Sequence, residues 1–126
     1  MSRRRDRLGY FKMLIVGIPP HEVLVDGVPL DHKGSCKVYN HSPTGFSWGY
    51  GGSGPSQLAL AILLLFLSPE RALKLYHAFK WQKIAGLDGT KGWSMTGDEV
   101  LEWIEKHQVE ASNMVCFIGG RKWISG

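Results

Sequence analysis

Cysteine is scarce in this chain. Cys36 and Cys116 stand far apart in 126 residues, and neither belongs to a C-x-x-C pair. A disulfide scaffold is thereby excluded, and both thiols are expected to act as small apolar side chains in a reducing compartment. Long apolar runs are scarce too. The main one, Leu58 to Leu67, falls well short of the roughly 20 residues that a membrane-spanning helix needs. Near the start, Gly9 and Lys12 interrupt the stretch from Leu8 to Val16, so no secretion signal is read there. A cytoplasmic protein without a membrane partner is expected.

Positive charge is also thinner than the net value of +4 implies. Arg3, Arg4, Arg5 and Arg7 with Asp6 supply +3 of it, which leaves +1 for the rest of the chain. Residues 1–8 therefore read as a basic flexible tail, and 9–126 as a single domain. Nucleic-acid binding is expected, if at all, through that tail alone.

Recognisable catalytic motifs are missing as well. Gly49-Tyr-Gly-Gly-Ser-Gly54 spells G-x-G-x-x-G, yet no second half of a βαβ unit follows, and Glu70 begins another helix where a ribose-binding acid would stand. No Lys-Ser/Thr pair completes a phosphate-binding loop. Ser53 sits in Gly51-Gly-Ser-Gly-Pro55, which lacks the final glycine of a nucleophile elbow. His32, Cys36 and His41 lack a fourth ligand and match no common zinc spacing. The acids Asp98, Glu102 and Glu105 suit the early turns of a helix, where they compensate its dipole. No metal, cofactor or catalytic residue is assigned, and a binding role is favoured over an enzymatic one.

What the chain does have is a short aromatic stretch, a glycine turn and a wholly apolar helix in succession from Phe46 to Leu67. Gly54-Pro55 is a helix start signal, because proline in the first turn lacks only an N–H that had no partner there. Apolar residues then cover the whole circumference, which puts this helix inside the molecule, and Ser68-Pro69 ends it. The four glycines leave no side chain over the helix N-terminus. Free N–H groups and the positive end of the dipole are thereby offered to an anion. The same glycines equally serve a strand that must turn sharply and press its backbone on the helix.

Upstream, Tyr10 to Val16 reads as a strand, and Asp26-Gly27 between two apolar runs reads as a hairpin turn. Pro29 demotes the second arm to an edge. Short strands are also expected over Ser35 to Tyr39 and over the aromatic stretch from Phe46. Downstream, Ser68-Pro69 caps a second helix with Ala72, Leu75, Tyr76 and Phe79 on its buried face. Lys74, His77, Lys80 and Trp81 are read as its cationic outer face. Residues 85–95 read as loop anchored by Trp93, and Thr96-Gly-Asp-Glu99 as a capping box for a third helix ending near Gln108. Met114 to Ile124 reads as a closing hairpin. The fold class is α+β: a small antiparallel sheet packed on two or three helices, one of them a fully buried central helix.

The run His41-Ser-Pro-Thr-Gly-Phe-Ser-Trp-Gly-Tyr-Gly-Gly-Ser-Gly-Pro-Ser-Gln-Leu-Ala-Leu-Ala-Ile-Leu63 closely resembles a family of small bacterial and phage proteins known as a domain of unknown function. Phe79-Lys-Trp-Gln-Lys-Ile-Ala85 and Trp93-Ser-Met-Thr96 resemble its other hallmarks, over about residues 22–106. The resemblance implies a small protein of the bacterial cytoplasm, often carried on phages or other mobile DNA, and transfers no activity. The arginine-rich start, Pro19-Pro20 and the segment after Gln108 depart from the pattern.

The leading functional expectation is a non-enzymatic accessory or counter-defence factor binding a small anionic or nucleotide-like ligand at the glycine turn. His41, Trp48, Tyr50, Gly51, Gly52, Ser53, Gly54, Gln57, Lys80 and Trp81 are its expected ligand-binding residues. The alternative is a protein-interaction module that modulates a host protein through an exposed aromatic patch of Trp48, Tyr50 and Trp81.

Overall fold

A computed structural model describes residues 12–119, with side chains described through 108. Four strands form one antiparallel sheet in the order β3-β2-β1-β4: β1 Leu14–Ile18, β2 Glu22–Val25, β3 Val28–Pro29 and β4 Trp93–Thr96. The helices are α1 His32–Val38, α2 Ser53–Leu64, α3 Pro69–Phe79 and α4 Gly97–Gly119, and a π-helical turn over Lys80–Ile84 extends α3. The class is α+β, as the sequence leads one to expect.

The hairpin forms where the turn chemistry demands. Asp26 has φ 51° and Gly27 φ 83°, the two positive values of a type I′ turn, whose twist matches that of the flanking strands. β3, which contains Pro29, lies at the sheet edge, where a missing N–H costs no ladder bond. On the inner face Ile15 pairs with Val25 and Met95, and Gly17 with Val23 and Trp93. Gly17 carries no side chain for a reason: a Cβ there would fall 2.2 Å from the Trp93 ring. Trp93 therefore lies flat across the sheet and meets Trp48 edge-on, with ring centroids 5.6 Å apart.

The centre is α2. Its residues from Gly54 to Leu63 are all buried, and α1, α3 and the π-turn surround it. The helix begins one residue before Gly54-Pro55, with Gly52 as N-cap and Pro55 within the first turn. α3 starts as expected, the Ser68 side chain accepting from the Arg71 N–H, and it buries Ala72, Tyr76 and Phe79.

Four expectations are corrected. Ser35 to Val38 is helix rather than strand, with Tyr39 following as an extended C-cap, because the Asp31 carboxylate caps the Gly34 N–H and Ser35 turns inward against α2. The stretch from Phe46 forms no ladder; single bonds hold it instead, His21 Nδ1 donating to the Phe46 carbonyl and the Gly49 N–H to that of Ile84. Residues 93–95 are not loop but form, with Thr96, the strand that completes the sheet, paired with β1 far back in the chain. Finally α4 runs on to Gly119, so Met114 to Ile118 is helix and not the first arm of a hairpin. The expected second arm and the basic tail lie outside the described residues.

The capping box is formed as read: the Thr96 N–H donates to Glu99 Oε1 at 3.0 Å, and the Glu99 N–H to Thr96 Oγ1 at 3.1 Å. Thr96→Ala removes one acceptor at the joint between sheet and α4. Thermal unfolding of this variant should show a loss of about 1 kcal/mol; an unchanged melting temperature would contradict the role assigned to the box.

Candidate functional site

Gln57 is the one amide side chain inside α2, and it is fully buried, at 0% exposure. Every hydrogen-bonding position on it is used. Oε1 accepts from the His41 and Ser42 N–H groups at 2.6 and 2.9 Å. Nε2 donates to Ser35 Oγ at 2.9 Å and to the Tyr39 carbonyl at 3.0 Å. A single side chain thus ties α1 and the loop behind it to the first turns of α2. Gln57 has no polar atom left for a ligand, and its place in the structure is that of a clamp.

The clamp sets His41 beside α3. There His41 Nε2 lies 2.7 Å from Tyr76 Oη, and the Tyr39 ring stacks on the imidazole at 4.3 Å. His77 continues the row of rings, 4.5 Å from Tyr76. Burial, then the nearby His77 and Lys80, hold His41 below its ordinary 6.5. Burial, then Tyr39, push the Tyr76 phenol up. Both shifts favour a neutral imidazole accepting the Tyr76 proton. Tyr39 and the Tyr76 hydroxyl were not legible as site residues. Tyr76 reads from periodicity as core, and nothing in the spacing brings it to His41.

The glycine turn is dressed with side chains. A Cβ on Gly51 would fall 2.2 Å from the Trp81 ring, one on Gly52 2.4 Å from the Tyr50 ring, and one on Gly54 1.9 Å from Ser47 Oγ. Ser47 Oγ in turn bonds Tyr50 Oη at 2.9 Å. Gly49, at φ 93°, packs against the Gly89 backbone, which a Cβ would meet at 2.6 Å. The bare glycines are therefore seats for rings. Tyr50 and Trp81 rest on them while remaining 53% and 59% exposed.

Two residues besides Gln57 sit differently from expectation. Trp48, read as a ligand-facing ring, is a core residue at 3% exposure, its Nε1 donating to the Lys91 carbonyl at 3.1 Å. Lys80, read as part of an outer cationic face, is buried at 5% exposure, its Nζ 4.5 Å from the centroid of the Trp81 ring. The π-turn accounts for this, since its wider winding rotates residues 80–84 relative to the α-helical stripe. Tyr50, Gly51, Gly52, Ser53, Gly54 and Trp81 lie together at or just before the first turn of α2, whereas His41 is turned to Tyr76 and meets α2 only through Gln57. Ser53 is exposed at the helix start.

Elsewhere, His32 Nε2 donates to the Ser42 carbonyl at 2.7 Å, and Cys36 Sγ lies 3.5 Å from the same nitrogen. That histidine proton is engaged with a carbonyl, and His41 points to Tyr76. Among the described residues no three His, Cys, Asp or Glu side chains are grouped to hold a metal ion. No described helix is long and apolar enough to cross a membrane.

Fold and site together define a small α+β domain that presents seated aromatic rings over the start of a buried helix. The chain belongs to DUF6166, a family of unknown function, whose model matches residues 18–106. No curated protein and no solved structure matches it.

Gln57→Leu keeps the helix apolar but leaves the buried His41 and Ser42 N–H groups without acceptors. Chemical denaturation should register a loss of about 3 kcal/mol, whereas a near-neutral change would remove the clamp from this account. Proton titration by NMR should place His41 below 6.5. Unfolded His41 takes its proton at the ordinary value and folded His41 only below it, so stability falls as pH drops through that interval and levels beneath it. Tyr76→Phe removes the donor to the neutral ring and should raise the His41 midpoint; an unmoved midpoint would show that the hydroxyl does not matter.

Proposed function

We propose that this protein is a non-enzymatic docking module that grips the acidic face of another protein with Trp81 and Tyr50. The observation that carries this reading is the seating of two largely exposed rings on adjacent glycines, which fixes their orientation before any partner arrives. Rings held in this way lose little conformational freedom on binding, which is why aromatic side chains dominate the energetics of many interfaces. Their outward faces suit a macromolecular surface better than an enclosed ligand, because the turn beneath them is filled.

Charge supports the choice of partner. Lys74 and His77 fall at i and i+3 along α3, Trp81 follows on its π-helical extension, and all three are exposed. Across 69–84 the exposed basic side chains are Arg71, Lys74 and Lys83, and the single acid is Glu70. An acidic surface with an apolar spot for the indole is the complement. In the setting that the family resemblance implies, such a module carried on mobile DNA would modulate a host protein.

Chemical cross-linking in a bacterial host, followed by mass spectrometry, tests this. A stoichiometric partner with an acidic contact face should be captured by the native protein, released by salt, and lost with Trp81→Ala or Tyr50→Ala at unchanged melting temperature. Equal capture by native protein and both ring variants would overturn the reading.

A further inference from the structure

The end of α2 opposite the seated rings borders a cavity that the docking surface does not use. It measures about 340 Å³ and lies where α1, the end of α2 and the start of α3 come together. Leu30 and Val38 wall it on one side, Ala61 and Leu64 on another, and Leu67 and Pro69 on a third. Its volume falls at the lower end of the range for small-molecule sites, with room for one ring and a short chain rather than for a length of peptide.

Charge in this apolar setting is of one sign. Among the residues that line the cavity Asp31 alone is ionisable. As the N-cap of α1 its Oδ1 accepts from the Gly34 N–H at 2.8 Å, and a carboxylate has lone pairs for further donors. Asp31 is exposed, which places it at the rim rather than the floor. Lys33 and Lys37, the basic residues of α1, are exposed too, and neither lines the cavity. The end of α2 adds to the same sign. The Leu65 and Phe66 N–H groups turn back to the Ile62 and Leu63 carbonyls, the negative pole of the helix falls there, and no basic side chain in its last turn compensates it. Apolar walls, a carboxylate at the mouth and a helix C-terminus in the wall are together complementary to a cation with an apolar body. An anion meets the wrong sign, and a neutral hydrocarbon leaves the carboxylate unused.

We propose that this cavity binds a small organic ammonium, a primary amine on an aromatic or short alkyl body. The body rests on Val38, Ala61 and Leu64, and the ammonium donates to the Asp31 carboxylate in a charge-assisted hydrogen bond. Water screens a carboxylate at the rim, so the charge supplies selectivity and the apolar walls most of the affinity. Trp81 and Tyr50 stand before the first turn of α2 and this cavity at its far end, so either reading can fail without the other.

The experiment is an amide-resolved NMR titration of the full chain at neutral pH with phenethylamine and, separately, with phenethyl alcohol, which has the same shape and no charge. Saturable shifts of the Gly34, Ala61 and Leu65 amides are expected with the amine, in about the millimolar range for a ligand this small. The alcohol should bind about threefold more weakly, or worse. Asp31→Asn keeps a capping side chain at the start of α1 while removing its charge, and in this variant the two probes should bind alike. The comparison of amine and alcohol on the native protein stands whether or not the variant folds. The proposal is overturned by the absence of a saturable shift with the amine, by shifts confined to residues away from the cavity, by equal affinity of the two probes for the native protein, or by a preference for the amine that survives in Asp31→Asn.

Discussion

Four hydrogen bonds from one buried amide hold this molecule's two halves in register. α2 is otherwise so apolar that it has no means of choosing a rotational setting against its neighbours, since hydrophobic burial is non-directional. Gln57 supplies the direction. By accepting from residues 41 and 42 and donating to residues 35 and 39, it fixes how α1 and its following loop lie on α2. His41, and through it Tyr76, take their places from that setting. A fully satisfied polar group in an apolar core specifies one arrangement among several of similar packing energy, and a half-satisfied one would be costly.

The glycine turn illustrates how one sequence feature serves two readings. Absence of side chains at Gly51 and Gly52 exposes backbone, as the sequence implies, but the space so created is occupied by Trp81 and Tyr50. Glycine acts here as a socket for an aromatic ring supplied from elsewhere in the chain.

Much of the fold was legible because its signals are local. Asp26-Gly27 fixes a turn by its own φ values, Ser68-Pro69 and Thr96 to Glu99 cap their helices through neighbours three residues away, and the length and uniform apolarity of 58–67 require an interior. The failures are of another kind. β4 depends on β1, nearly the whole domain away in sequence, and Trp-Ser-Met-Thr has too few residues to announce a strand alone. Ser35 to Tyr39 alternates like a strand, yet the Asp31 cap and the packing on α2 overrule a period judged over five positions. At the site, Trp81 and Tyr50 were legible as exposed rings, whereas Trp48, Gln57 and Lys80 were misplaced. A tryptophan is large enough to serve core or surface, a glutamine in an apolar run gives no hint of which loop it will hold, and the π-turn that draws Lys80 inward leaves no mark in the residue pattern.

The sheet order carries a consequence for how the chain is made. β1 sits between β2, its neighbour in sequence, and β4, which is synthesised long afterwards. Until Trp93–Thr96 has left the ribosome, the N-terminal hairpin keeps one flank of β1 unmated, with backbone groups exposed to any passing strand. Closure of the domain is therefore a late event in translation, and a nascent chain stalled before β4 carries a sticky margin that the finished protein has covered.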